Sequence, residues 1–300
     1  MSAVSTGDPA ANEPSSGSQR TLRGARLKAQ RGAPTELLAR LARNLGSVAI
    51  SIVVTLVLWI GFIKLFHVDH AVARNPADVW RYMFSAPSAL HHRNVLFHNL
   101  LTTLRDAALG YVTGMVSAVV VASVFILART LEQAFMPVAL VLRSVPLIAM
   151  APLITLIFGR DIAAISVIGG IVCFFPALIN IMYGLRSTPR SAIDLMRSYG
   201  ASRTTILRKV MFPSSMPAIF ASLRILVPAA LIGGLLSEWL ATGRGSGNEM
   251  ITVLRTFDYD ELWSAVVLVT LTSIVLYSVV RAIEGAALAR YAPDSVGRTS

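Results

Sequence analysis

Charged side chains inside apolar sequence are the first residues of this chain that could do chemistry. Arg143 and Arg224 interrupt long apolar runs, and Glu238 closes another. An arginine at bilayer depth costs about 2.5–3.5 kcal/mol on insertion scales, so it marks a functional site by default. Arg143 and Arg224 are therefore candidates for contact with an anionic solute, with snorkelling to the nearer interface as the alternative. Glu238 is a candidate gate or packing partner at the end of its run, or an interfacial carboxylate. All five histidines fall in one segment, His67 to His98. His67-x-Asp69-His70 has a spacing that could hold a metal, but no pattern of supporting ligands surrounds it, and no metal site is expected. Cys173 is the single cysteine and sits in an apolar run, which suits a small buried residue. Gly243-Arg244-Gly245-Ser246-Gly247 lacks the spacing of a phosphate-binding loop, so it reads as a turn. No HExxH, GxSxG or paired-carboxylate pattern lies at bilayer depth, and no catalytic residue is assigned.

The polar stretch from Thr188 to Pro213 carries a different kind of signal. Thr188 can cap a helix that has Pro189 at its first position. Ile193, Met196 and Tyr199 recur at helical spacing, and Gly200 supplies the left-handed residue that ends such a helix. Ser202 can cap a second helix bearing Ile206, Leu207 and Val210 on one side, with Arg203 and Arg208 elsewhere and Pro213 closing it. Two short helices at a glycine corner make a rigid knob with an apolar stripe, suited to a groove in a soluble partner.

The elements that must position these residues are membrane spans. Apolar residues make up 54% of the 300-residue chain and charged residues 14%, against about 25% charge in a soluble domain. Mean hydropathy is +0.64. Runs long enough to cross a bilayer fall at about 47–66, 104–127, 134–158, 162–184, 216–238 and 262–283, which predicts an all-α integral membrane protein of about six transmembrane helices. The third run contains Pro137, Pro146 and Pro152, so a kink or break is expected there. Residues 1–45 read as a disordered, basic, juxtamembrane tail, 46–99 as a first transmembrane helix with an extracytoplasmic connector, 100–285 as the core, and 286–300 as a C-terminal tail. Asn75-Pro76 marks a helix start in the connector. Ala71-Val72-Ala73 resembles a cleavage site, but the preceding run is too long for a signal peptide and reads as a retained anchor. Gly110-x3-Gly114 permits close helix packing, within or between chains.

The net charge of +11 invites a nucleic-acid partner, yet the basic residues gather in the tail and short loops, as topology demands. With both termini inside, the tail, Arg129, the 185–213 loop and the C-terminus place most Lys and Arg in the cytoplasm. Trp80, Trp239 and Trp263 then fall near the outer interface.

The 188–213 stretch resembles the cytoplasmic signature of ABC importer permeases, E-A-A-x3-G-x9-I-x-L-P. Here it reads Asp194-Leu195-Met196, three residues, Gly200, nine residues, then Val210-Met211-Phe212-Pro213. Leu195 and Met196 depart from the two alanines. Leu142-Arg143-Ser144-Val145-Pro146-Leu147-Ile148-Ala149, Phe174-Phe175-Pro176, Leu223-Arg224-Ile225 and Glu238 are similar to the nitrate/sulfonate/taurine branch, over about 99–291. The resemblance implies a type I permease bundle that couples to ATPase subunits through Asp194, Met196, Tyr199, Gly200, Ala201, Ser202, Arg203 and Pro213. It implies cytoplasmic ABC ATPases that bind ATP and Mg, so that this chain needs no cofactor of its own. It also implies an extracytoplasmic solute-binding protein, a second permease copy, and the bacterial cytoplasmic membrane. Sulfonates, taurine or nitrate are the expected cargo, with a heterocyclic vitamin precursor as another candidate. An ATPase-independent transporter or channel is the alternative, and a membrane-embedded enzyme a more distant one.

Overall fold

A computed structural model describes residues 50–69 and 72–291. It divides into two units, the first ending at Val68 and the second beginning at Asp69. In the first unit, α1 (Ile50–Leu65) is a short apolar helix. Its Val53, Val57 and Leu58 are exposed, as suits side chains solvated by lipid tails. The expected tail at 1–45 lies outside the described residues.

The second unit opens with α2 (Pro76–Trp80), where Pro76 takes the first position and Asn75 the cap, as expected from the sequence. The Asp78 carboxylate accepts from the Asn75 N–H at 3.0 Å. A wider, π-type turn (Arg81–Ser85) follows, then α3 (Ala89–Leu127). The run predicted at 134–158 is two helices, α4 (Arg129–Ser144) and α5 (Leu147–Phe158). Pro146 makes the break, because it has no N–H to donate and forces Val145 before it to be extended, at φ −73° and ψ 125°.

Next come α6 (Ile162–Arg186), α7 (Arg190–Ser198) and α8 (Arg203–Ile206), the last running through a π-type turn (Leu207–Met211) into α9 (Phe212–Ser237). A second π-type turn (Glu238–Thr242) ends α9, and α10 (Gly245–Thr256) and α11 (Tyr259–Tyr291) complete the chain. Among the described residues four helical stretches are long and apolar enough to cross a membrane: Ala89–Leu127, Ile162–Arg186, Arg203–Thr242 and Tyr259–Leu288. α1 and α5 are shorter apolar helices.

The core lies where α3, α6 and α9 cross. In lipid there is no water to expel between helices, so association rests on close packing and hydrogen bonds. Three glycines allow it. A Cβ on Gly110 would stand 2.7 Å from Gly169 Cα, and one on Gly233 would stand 2.9 Å from that same atom. Around this crossing Ala118, Ala122, Cys173, Ala177, Ile181 and Leu226 are sealed from solvent. Tyr111 donates to the Leu223 carbonyl at 2.9 Å, tying α3 to α9.

At one end of the unit, residues 72–92 clamp the start of α11. Arg74 pairs with Asp260 at 2.7 Å, and the Trp263 indole donates to the Val72 carbonyl at 3.0 Å. Tyr82 donates to Glu261 at 3.2 Å and stacks on His92 with ring centres 4.0 Å apart. Burial first, and the Glu261 carboxylate second, push the Tyr82 phenol above its usual range, so it remains a donor at physiological pH.

Candidate functional site

The 188–213 stretch folds as a corner between two helices. Met196 and Arg197 lie at the end of α7, and their carbonyls accept from Ala201 N–H at 3.0 Å and Gly200 N–H at 2.8 Å. This pair of bonds is a Schellman cap, and it requires the left-handed residue that Gly200 supplies at φ +75°. Ser202 then caps α8, its hydroxyl accepting from Thr205 N–H at 3.2 Å. Asp194 faces Arg197 at 3.6 Å. Arg203 is exposed in the first turn of α8.

Three local expectations are corrected. α7 starts at Arg190 with Pro189 as its cap residue. Thr188 is buried, and its hydroxyl turns back to the Leu185 carbonyl at 3.0 Å, which removes it from the α7 end. Pro213 does not close α8, because helical structure continues from Arg203 to Thr242. The ring falls just after the Leu207–Met211 turn, whose wider bonding already displaces the ladder position a proline cannot fill. The exposed apolar pair on α7 is Leu195, 58% exposed, and Tyr199, 82% exposed, while Ile193 and Met196 are half-buried. α7 buries none of its residues, whereas Ile206 and Leu207 face the core.

The expected solute-contact residues separate in the structure. The side chain of Arg143 lies outside the described residues. Arg224, on α9, pairs with Glu284 on α11 at 3.0 Å and stands 5.9 Å from the Tyr277 ring centre. Glu284 is buried. Glu238 is 0% exposed. Its Oε2 accepts from Thr103 Oγ1 at 3.0 Å and from Gly247 N–H at 2.7 Å. Thr103, Asp106 and Glu284 were not singled out from the sequence. Asp106 could have been, since an acid within an apolar run is the same signal that marks Arg224, whereas Glu284 falls just past the run that ends at about 283. An open groove between α3 and α6 is mostly apolar, lined by Val167, Gly170, Ile171 and Phe174 with Thr113, Ser117 and Ser166, and it carries no charge.

Long apolar helices packed through a glycine-crossed core, with an exposed helical corner between two of them, define a multi-pass membrane protein. The chain belongs to the family described as binding-protein-dependent transport system inner membrane component, whose profile matches residues 102–291. It is 29% identical over 201 residues to a probable ABC transporter permease protein of Haemophilus influenzae, covering 65% of this chain and 82% of that one. It is 27% identical to the formylaminopyrimidine transport permease protein of Halalkalibacterium halodurans, covering 64% and 76% of the two chains. Further relatives are named nitrate import permease, in Leptolyngbya laminosa, and putative aliphatic sulfonates transport permease, in Escherichia coli. Its fold is similar to that of the inward-facing MetNI methionine ABC transporter, at TM-score 0.54 and 18% identity, over 68% of this chain and 99% of the other. The chain is thus the permease subunit of a binding-protein-dependent ABC importer in the inner membrane, and it is not itself catalytic. An importer of this kind implies ATPase and binding-protein partners.

Proposed function

We propose that the corner from Asp194 to Arg203 is the point at which ATPase subunits grip this permease, with the N- and C-termini and the 185–213 loop in the cytoplasm. The observation that carries the reading is a short helix, α7, that buries none of its residues yet is fixed by a full Schellman cap at Gly200. A helix that seats only Ile193 and Met196 part-way against its own chain and turns Leu195 and Tyr199 outward is shaped for a partner's groove. Two permease copies form the pathway. Loaded binding protein delivers cargo to its outer mouth, and ATP-driven closure of the motors moves the corner so that access alternates between the two sides.

The cargo is a small solute of the kinds named for the relatives. Arg224 is already neutralised by Glu284, and the α3–α6 groove is mostly apolar, with Val167, Ile171 and Phe174 among its lining and no charged side chain. Both favour a small heterocycle over nitrate or a sulfonate. Co-purification tests the coupling reading. Wild-type permease retains its ATPase partner, and Gly200→Pro loses it. Retention by both would put the ATPase grip elsewhere on the permease, and retention by neither would favour the ATPase-independent transporter. Binding of a formylaminopyrimidine, taurine and nitrate to the cognate binding protein ranks the cargo classes, and selective nitrate or taurine binding would refute the heterocycle.

A further inference from the structure

Glu238 lies far along the chain from the coupling corner, yet one helical stretch joins them. Arg203–Thr242 is continuous over 40 residues, or about 60 Å at 1.5 Å per residue. The corner opens this stretch and Glu238 stands near its other end. There the carboxylate belongs to the turn that ends α9, accepts the Thr103 hydroxyl of α3, and caps the first turn of α10 through Gly247 N–H. Thr103 Oγ1 in turn accepts from Ser246 N–H at 3.0 Å. One buried carboxylate and one hydroxyl therefore hold three elements together. The acid is well placed, since a helix N-terminus presents unpaired N–H groups and a positive dipole end.

The loop is shaped around this acid. Gly245 has φ +82°, and a Cβ there would fall on the Glu238 carboxylate. A Cβ on Gly247 would overlap the Leu235 carbonyl oxygen. Asp106, 1% exposed, stands one turn along α3 from Thr103. α10 itself has 12 residues, about 18 Å, too short to cross the hydrocarbon. It packs on α3, α9 and α11.

We propose that Glu238 and Thr103 form a latch that makes α10 follow α9 and α3, so that α10 is a door at the outer mouth driven from the coupling corner at the far end of the same helical stretch. The proposal rests on the coupling reading above. Glu238 touches no cargo in it and acts as a positioning residue, as does Thr103.

The test uses the whole transporter, permease with ATPase and binding protein, in membranes. Ser246→Cys reports the door through labelling by a membrane-impermeant maleimide added outside, and Cys173, fully buried, stays silent. With the latch intact, labelling differs between the nucleotide-free and the vanadate-trapped transporter. Thr103→Val keeps the side chain's shape but removes both its donor and its acceptor. It is expected to raise nucleotide-free labelling and to lower cargo uptake per ATP, each by about fivefold or more, the low end of ordinary coupling between sites. The difference between the two states should vanish with it. Thr103→Ser and Glu238→Gln retain an acceptor oxygen and restore both readouts, which a general loss of packing would not do. Glu238→Ala should behave like Thr103→Val, and if it fails to assemble, the isosteric threonine pair carries the test. Assembled, ATP-hydrolysing Thr103→Val transporter with wild-type labelling and uptake overturns the latch alone. A wild-type permease that never retains an ATPase overturns the latch and the coupling reading together.

Discussion

Arg224 shows at the residue scale how a charge within apolar sequence is tolerated. Its guanidinium meets Glu284 at 3.0 Å and approaches the Tyr277 ring, so two helices share one ionic contact. A pair of this kind owes its cost to desolvation, and removing one partner leaves the other uncompensated. Arg224→Met or Glu284→Met alone is expected to cost about 1–3 kcal/mol, below the full buried-pair value because Arg224 is partly exposed. The double change should recover to within about 1 kcal/mol of wild type, since two apolar side chains suit the setting. Thermal midpoints of the detergent-solubilised permease read the three variants, and a double variant as weak as either single would contradict this account. The arginine was legible in the sequence and its partner was not. They stand 60 positions apart in the chain, and no local spacing reports that α9 and α11 will pair. The Glu238 network was hidden for the same reason. Its donors come from α3 and from the start of α10, which only the fold brings together.

At the scale of elements, the crossing of α3, α6 and α9 depends on missing side chains. Gly169→Ala puts a Cβ 2.9 Å from Gly110 Cα, a backbone atom that has no rotamer with which to yield. Overpacking of this sort costs about 1–3 kcal/mol. Gly285→Ala meets nothing within 4 Å, sits inside α11, and should gain about 0.4–1 kcal/mol by stiffening the unfolded chain. The two changes are chemically identical, so opposite shifts in thermal midpoint would isolate the crossing as the cause. At the corner, Gly200→Ala keeps the space but forces φ +75° on an L-residue. A cost of about 1–2 kcal/mol follows, and ATPase retention should weaken without the complete loss expected of Gly200→Pro. The corner was readable because its cues are local: a glycine, a Ser cap and helical spacing sit within a dozen residues. Close packing by Gly110 and Gly114 was also readable as a tendency. Its partner, α6 through Gly169, Gly170 and Cys173, was not. The π-type turns and the continuity of α8 with α9 left no sequence signal, since Pro213 normally argues for a stop.

For the whole molecule, length decides which parts can lie in the bilayer. Arg203–Thr242 spans about 60 Å at 1.5 Å per residue, against a hydrocarbon core of about 30 Å. The stretch is therefore longer than the hydrocarbon is thick even when tilted, and the overhang has to be its polar part. Arg203, Arg208 and Lys209 lie at the start, while Trp239 marks an interfacial level near the end. Loop 185–213 adds Arg186, Arg190 and Arg197 to the same side, which the positive-inside rule predicts to face the cytoplasm. Single cysteines at Arg190 and Phe257, both exposed positions, give the matched test. In intact cells an impermeant thiol reagent should label Phe257→Cys and spare Arg190→Cys, and permeabilisation should expose Arg190→Cys. The α10–α11 turn bearing Phe257 lies beyond α9 from the corner, so the two sites must differ if the long stretch crosses once. Labelling of Arg190→Cys from outside would put the corner beyond reach of a cytoplasmic motor, and the mechanical chain from Gly200 to Glu238 would then have nothing to drive it.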